Sequence, residues 1–336
     1  NGNVINNGTL SAGGGSTFRL SGAALTNNGI VTGTTFNFET GAHSLSGTGT
    51  WTTNANVLTG STVTLVSDHR LQSLTINAGG TVYLSTYKLS LSASNPISNS
   101  GSLFSANGIF EYNGTSAQSI STTNVTYNRL RINNTAGVSL PAALTVVDTL
   151  AVILGDLNLN GQILTISPNG YLTETPGNTF YGTSGYLTST KTINAPSSLN
   201  VGGFGAVLTS AANLGSTEVR RGHAVQNGLN GNTSILRYYD ITPTTNTGLN
   251  ATLVFKFDDS ELNGKTEAAL GLYKSTNSGV AWTSQGGTVN TSLNTITLAG
   301  LGSFSRWSAS STIGRTRTCC NTSCTACSAR WAPGCC

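Results

Sequence analysis

The first 170 residues contain few side chains that could act as acids or bases. Their five carboxylates are scattered along the chain: Glu39, Asp68, Glu111, Asp148 and Asp156. An enzyme that cleaves polysaccharides needs paired carboxylates, or acids beside Lys or Arg, on one face of its fold. Because these acids share no motif, the sequence predicts a protein that is not an enzyme.

One cluster of titratable groups occurs in this region, the triplet Asp68, His69 and Arg70. We interpret it as a solvated turn rather than a catalytic group. His43 and His223 have no partner at the spacing of a zinc site or a Ser-His-Asp triad. The histidines therefore indicate neither a metal site nor a nucleophile.

The most acidic stretch is "FDDSELNG", residues 257–264. Asp258, Asp259, Glu261 and Asn263 supply oxygen ligands of the kind that Ca²⁺ prefers, but their spacing differs from that of the 12-residue calcium loop. An acidic loop that ends in an Asn-Gly turn is the favoured interpretation. We predict no metal and no cofactor.

Four aromatic side chains are candidates for stacking on sugar rings: Trp282, Tyr238, Tyr239 and Trp307. The first ends the segment "STNSGVAW", residues 275–282, which resembles the Asp-box pattern with Asn277 in place of the usual Asp. A single imperfect copy predicts a hairpin turn. Packing in a buried core is the favoured interpretation of the four rings, and an exposed platform is the alternative.

All the cysteines lie near the end of the chain: Cys319, Cys320, Cys324, Cys327, Cys335 and Cys336. Their CC-x3-C-x2-C-x7-CC order is similar to the CC-C-C-CC framework of small conotoxins. Six cysteines allow 15 disulfide pairings, and the sequence does not choose among them. Three readings of residues 313–336 stay open: a disulfide knot, a zinc site that includes Cys324 and Cys327, and an unstructured or misassembled end.

The composition restricts the classes of partner. Charged residues make up 8% of the chain, and residues 1–305 carry 12 basic and 12 acidic side chains. Nucleic-acid binding requires a basic face, so we expect no nucleic-acid partner. No apolar run is long enough to span a membrane. The chain has no Met, which favours a processed piece of a longer protein, and its long cysteine-free part is typical of bacterial exported proteins.

Most of the first half of the sequence has the pattern of short β-strands, in which apolar and polar residues alternate. In "SLTINAGGTVYLSTYKLSLS", residues 73–92, apolar residues alternate with Ser, Thr and Asn around a Gly-Gly turn. Related stretches recur every 20 to 28 residues or so, and two of them open on Asn-Asn-Gly. This repeat predicts a parallel β-solenoid over residues 1–175, in which uncharged outer rows stack without repulsion. The alternative is a sandwich of independent hairpins.

The pattern changes after about residue 176. Residues 176–312 contain longer and less repetitive strands, which predict a β-sandwich. The turn-forming segment 168–179 is the expected junction. The predicted fold is therefore all-β, with a parallel β-solenoid followed by a β-sandwich.

Several segments resemble secreted surface proteins of Bacteroidota and related bacteria, which are typically exported by the type IX route. These segments are "GIFEYNGTSAQSI", "YNRLRINNTAGVSL", "GDLNLNGQILTIS" and the whole of residues 237–308. The resemblance implies a stalk, an adhesin or a filament-forming region at the bacterial cell surface. Family members often continue past the Ser-Phe-Ser motif, here residues 303–305, into a sorting domain, whereas this chain continues into the cysteine-rich segment.

The leading functional prediction is an extracellular structural or adhesive protein that self-associates, or joins other surface proteins, through strand edges. The chain begins in mid-pattern, so residues 1–5 are the expected docking edge. The alternative is a carbohydrate-binding module of a larger secreted protein, with glycans as partners. Ice binding by Thr rows is a third reading, and it needs a regularity that the loose repeats lack.

Overall fold

The computed structural model describes residues 2–11, 13, 15–33 and 35–312. Within these ranges the regular structure consists of strands and three short 3-10 helices, Val201–Gly203, Asp259–Glu261 and Glu267–Ala269. None of these helices is long or apolar enough to cross a bilayer. The all-β prediction is confirmed.

The strands up to residue 181 are β1 (Val4–Asn6), β2 (Thr9–Ser11), β3 (Thr17–Leu20), β4 (Ala24–Asn27), β5 (Ile30–Thr32), β6 (Thr35–Phe38), β7 (Gly41–Ser46), β8 (Thr50–Trp51), β9 (Asn54–Val57), β10 (Ser61–Leu65), β11 (His69–Leu71), β12 (Ser73–Ile76), β13 (Thr81–Tyr83), β14 (Lys88–Leu91), β15 (Ile97–Asn99), β16 (Ser102–Phe104), β17 (Ile109–Tyr112), β18 (Gln118–Ser119), β19 (Tyr127–Asn133), β20 (Val138–Ser139), β21 (Leu144–Leu154), β22 (Leu157–Asn158), β23 (Ile163–Ile166), β24 (Tyr171–Glu174) and β25 (Phe180–Tyr181).

The later strands are β26 (Tyr186–Asn194), β27 (Leu199–Asn200), β28 (Ala206–Thr209), β29 (Asn213–His223), β30 (Asn227–Leu229), β31 (Asn232–Thr233), β32 (Arg237–Pro243), β33 (Ala251–Lys256), β34 (Leu270–Ser275), β35 (Thr283–Gly286), β36 (Thr288–Asn290), β37 (Thr295–Leu301) and β38 (Arg306–Ser311).

The first part of the chain winds into a parallel β-solenoid of about nine coils. In the early coils each turn contributes one strand to each of three parallel sheets, ordered β1-β4-β7-β10-β13-β16, β2-β5-β8-β11-β14-β17 and β3-β6-β9-β12-β15. A four-stranded parallel sheet, β18-β20-β22-β25, lines the later coils. Since the pairings between these coils are parallel, the hairpin alternative does not apply to this region.

Alternation of side chains builds the solenoid core. One inward column runs through Leu71, Leu91, Tyr112, Ile132 and Val152, which occupy matching positions on successive coils. All five are essentially buried. Each residue therefore packs on its equivalents above and below, and the burial of these apolar groups is the main force that holds the coils together.

The repeated Asn-Asn-Gly segment lies at a corner of the coil, where packing between adjacent coils requires these residues. Asn6 Nδ2 donates to Asn27 Oδ1 at 2.7 Å, and both amides are buried. Two residues further along, a Cβ on Gly29 would overlap the carbonyl oxygen of Gly8 in the neighbouring coil. The backbones of adjacent corners approach so closely that this position accepts only glycine.

One sheet runs through both parts of the molecule. We call it the long sheet; it comprises 16 strands and begins with β2. In the solenoid it ends with β23, which pairs in parallel with β26, and β26 then pairs antiparallel with β29. The antiparallel order β26-β29-β32-β38-β34-β35 completes it. The segment 168–179, expected as a junction, contains β24 of the solenoid and is bridged by this continuous ladder.

A second antiparallel sheet, β27-β28-β33-β37-β36, faces the end of the long sheet. The ring centroids of Tyr239 on the long sheet and Phe255 on the second sheet lie 4.8 Å apart, edge to face. Both residues are fully buried. Antiparallel sheets with a shared apolar core follow the solenoid, as the change in sequence pattern predicted.

Candidate functional site

The structure does not bring the four candidate aromatic residues into one exposed surface. Tyr239 and Trp307 are completely buried. The Tyr239 hydroxyl lies 2.8 Å from the carbonyl oxygens of both Phe204 and Lys256. These two rings belong to the core because they fill the space between the sheets, so they offer no face to a sugar.

The other two candidate rings are half-buried. The Arg306 guanidinium covers the Tyr238 ring at 4.7 Å from its centroid. Trp282 Nε1 donates to the Gly279 carbonyl at 3.0 Å, which fastens the indole to its own turn. Stacking on a sugar by Tyr238 and Trp282 stays a prediction.

The segment 275–282 forms the hairpin turn between β34 and β35. Ser275 Oγ accepts from Gly279 N at 2.8 Å, and Asn277 Oδ1 accepts from Ala281 N at the same distance. Asn277 thus accepts the backbone hydrogen bond that closes the turn. The prediction of a hairpin is confirmed.

The acidic stretch 257–264 uses its carboxylates to hold its own backbone. Asp258 Oδ1 accepts from Ser260 N at 2.9 Å, and Glu261 Oε2 accepts from Asp258 N at 2.9 Å, which together cap the short 3-10 helix. Glu261 is fully buried. No group of three or more His, Cys, Asp or Glu side chains in the described ranges is placed to hold a metal ion.

The three residues 68–70 differ in solvent exposure. Asp68 and Arg70 are exposed, whereas His69 is buried and its Nε2 lies 3.2 Å from Ser67 Oγ. Burial lowers the pKa of His69, and the main-chain contact to Leu45 opposes this only in part. Asp68 Oδ1 accepts from the backbone N–H of Lys88 on the next coil at 2.9 Å.

A buried ion-pair network joins the last coil to the sandwich. Arg221 of β29 donates from Nη1 to Glu174 Oε2 at 2.6 Å and from Nη2 to Oε1 at 3.0 Å. The same Nη2 donates to Thr179 Oγ1 at 2.8 Å. The guanidinium also lies over the ring of Phe180, 4.7 Å from its centroid. The Arg221 side chain is 1% exposed, so its charge depends on these partners.

The network continues through Glu261. Arg237 Nε lies 2.7 Å from Glu261 Oε2, and Arg221 Nη2 lies 3.7 Å from Oε1. Burial alone lowers the pKa of Arg237, but Glu261, Tyr239 and Glu174 together outweigh it, so the pKa is raised. Burial lowers the pKa of His223 at the edge of the network; Glu261 opposes this shift, and the neighbouring guanidinium groups reinforce it.

A cleft of about 480 Å³ opens above this network, and its walls include Glu174, Arg237, Lys256 and Asp258. Burial alone raises the pKa of Glu174, but Arg221 and Arg237 outweigh it, so the pKa is lowered. Asp258 also has a lowered pKa, because hydrogen bonds from Ser260 and Gly177 outweigh desolvation. Glycoside cleavage requires a carboxyl group whose pKa is raised. Neither of these two acids is of that kind.

The structure gathers charges on the solenoid that look scattered in the sequence. Arg70, Ser90, Glu111 and Arg131 occupy the same position on four successive strands of the long sheet. Glu111 Oε1 accepts from Ser90 Oγ at 2.8 Å, and the Glu111 carboxylate lies 3.5 Å from Lys88 Nζ and 3.1 Å from Arg131 Nε. We call Arg70, Lys88, Ser90, Glu111 and Arg131 the charged row.

The charged row is not evident as a motif, because its members lie about one coil apart in the sequence and not beside one another. The signal is the spacing of residues 70, 90, 111 and 131, which follows the coil length. Where two charged residues pair directly across adjacent strands of the solenoid, as Glu111 pairs with Arg131, their charges are opposite. A solenoid therefore tolerates charge when its sign alternates along the stack.

The six cysteines lie outside the described residues, so their pairing stays a prediction. No family model, curated protein or solved structure matches this chain.

Proposed function

We propose that this protein is a non-enzymatic structural or adhesive component of the bacterial cell surface, in which the solenoid and the sandwich form one stiff body. The observation that carries the proposal is the unbroken long sheet. Fifteen of its 16 strands follow one another in a single order, each about 4.8 Å from the next, and make a ladder roughly 70 Å long; β24 pairs with β21 beside this order. A spacer that positions a surface module needs such a body.

The junction supports a mechanical role because three kinds of interaction cross it. The β23–β26 pairing supplies main-chain hydrogen bonds, and the Arg221–Glu174 pair adds a buried electrostatic link. Gly177 N also donates to Asp258 Oδ2 at 3.1 Å. Two domains that moved freely would be joined by an exposed linker with few contacts across it.

Assembly through strand edges is the second part of the proposal. Within the described ranges, β35 is the last strand of the long sheet and pairs only with β34. An edge with unpaired N–H and C=O groups can accept a strand from another copy or from another surface protein.

Electron microscopy of the whole chain tests stiffness. We expect class averages in which the two parts keep a constant mutual angle, together with fibres or end-to-end particles as the concentration rises. Particles that bend at the junction would contradict the stiff body. A strict monomer at high concentration by sedimentation velocity would contradict self-association.

A further inference from the structure

The charged row lies beside a groove on the outer face of the long sheet. The groove has a volume of about 460 Å³, and its lining includes Thr50, Asp68, Arg70, Lys88, Ser90 and Asn113. Most of the solenoid's charged residues lie on strands of this sheet, whereas Arg19 lies on a different sheet. The groove therefore differs chemically from the neutral Ser, Thr and Asn rows elsewhere on the solenoid.

The groove lining pairs Arg70 and Lys88 with Asp68 and Glu111, and Arg131, which contacts Glu111 from beside the groove, adds a further cation. The Glu111 carboxylate lies beneath its partners and is 4% exposed, whereas the side chains of Lys88 and Arg131 are 29% and 36% exposed. The Arg70 side chain is exposed, and its guanidinium has no hydrogen-bond or ion-pair partner in the described part of the chain. Asp68 is the exposed acid, and its Oδ1 already accepts from Lys88 N.

We propose that this groove binds a linear polysaccharide of uronic acids, with the sugar chain running along the solenoid axis across successive strands. Arg70 and Lys88 in the groove, with Arg131 beside it, contact the sugar carboxylates. Thr50 and Asn113 hydrogen-bond the sugar hydroxyls, whereas Ser90 is buried and donates to Glu111. Glu111 does not touch the ligand; it positions Lys88 and Arg131.

The spacing of the cations fits such a polymer. Arg70 and Arg131 are three strand steps apart, which is roughly 14 Å, with Lys88 between them. A chain of pyranose rings repeats over a distance comparable with one coil, so the carboxylates of one chain can reach the cations on β11, β14 and β19 while the sugar at β17 passes over the buried Glu111. Long polymers thus gain several weak contacts at once.

Other anionic partners fit less well. A peptide strand adds to a sheet edge, but the strands that floor the groove are paired on both sides, so their backbones are already used. Nucleic acid requires many cations to neutralise its phosphates. Among the described lining residues none is Phe, Tyr or Trp, so a neutral sugar would have no ring on which to stack.

Affinity electrophoresis and calorimetry of the whole chain test the proposal, with polygalacturonate and alginate as probes. We expect binding that weakens with salt and is lost on methyl-esterified polygalacturonate, since esterification removes the charge. The variant Arg70→Ala should raise Kd roughly two- to fivefold, and Arg70→Ala with Lys88→Gln roughly tenfold.

Arg19→Ala is the matched control, because Arg19 is an exposed cation on another sheet. It should leave Kd unchanged, and unchanged melting temperatures would show that all variants fold. The proposal is overturned if neither polyuronate binds, if the esterified polymer or heparin binds equally well, or if Arg19→Ala weakens binding as much as Arg70→Ala. Polyuronate binding does not depend on stiffness or self-association. The binding proposal can therefore fail while the proposed structural role stands, and the structural role can fail while polyuronate binding stands.

Discussion

Arg221 and Glu174 form a buried two-point ion pair between the sandwich and the last coil of the solenoid, with hydrogen bonds of 2.6 and 3.0 Å. The residues are 47 positions apart in the chain. Planar guanidinium and carboxylate groups match in this geometry, and the arrangement fixes orientation as well as distance. The pair therefore contributes to the rigidity that the proposed function requires.

Glu174→Gln should destabilise the protein by about 3–5 kcal/mol, because it leaves the charge of Arg221 buried without a full partner. Urea denaturation followed by circular dichroism measures the loss. Glu218→Gln is the matched control, since Glu218 pairs with Arg220 at the surface, where an ion pair contributes about 1 kcal/mol or less. Equal losses in the two variants would show that burial does not govern the strength of this contact.

Stability should fall in acid in two stages. The pKa of His223 is lowered from 6.5 by burial, so below pH 6.5 the unfolded chain takes up a proton that the folded chain resists. The pKa of Glu174 is lowered from 4.5 by its arginine neighbours, against the effect of burial. The contribution of Glu174 to the free energy of unfolding is therefore complete above pH 4.5. It is lost as the pH falls through the pKa that Glu174 has in the folded protein.

Urea midpoints at pH 7.5, 5.5 and 4 measure this profile. His223→Gln should reduce the drop between pH 7.5 and 5.5, and the buried His69 accounts for part of what remains. A urea midpoint that rises as the pH falls would contradict the lowered pKa values of His223 and Glu174.

Gly29→Ala should destabilise the solenoid by about 1–3 kcal/mol or more, because the added methyl group meets the backbone of the adjacent coil. Gly302→Ala serves as the control, since a Cβ there has no atom within 4 Å. Thermal unfolding compares the two. A tolerated Gly29→Ala would mean that the corners can separate without disturbing the ladder.

Trp307→Ala should cost about 3–5 kcal/mol, because Trp307 is a fully buried core side chain. Trp282→Ala should cost clearly less, since its ring is half-buried and bonded within its own turn. The alternative of a carbohydrate-binding sandwich adds a separate expectation, that Trp282→Ala abolishes a glycan-array signal. Silence of the unmodified protein on plant, algal and host glycans would remove that alternative.

The architecture was largely predictable from alternation. Leu74 and Ile76 were expected to face inward and Thr75 outward, and they do. The 20- to 28-residue repeat predicted stacked coils because equivalent strands on successive turns can bury their apolar side chains against one another, and their outer rows are uncharged. The aromatic residues were less predictable: Tyr238 is half-buried and Tyr239 buried, and in a strand a shift of one residue reverses the face.

The sequence by itself determined the strands, their inward faces and the change of pattern near residue 176, because these depend on neighbours along the chain. Only the tertiary structure decided that Glu111 meets Lys88 and Arg131, and that Arg221 of the sandwich neutralises Glu174 of the solenoid. Such contacts depend on how many residues each coil takes to close and on which strand follows the last coil. The sequence repeat gives the coil length only to within several residues and says nothing about the strand that follows the last coil, because both are fixed by backbone pairing between residues that are distant in sequence.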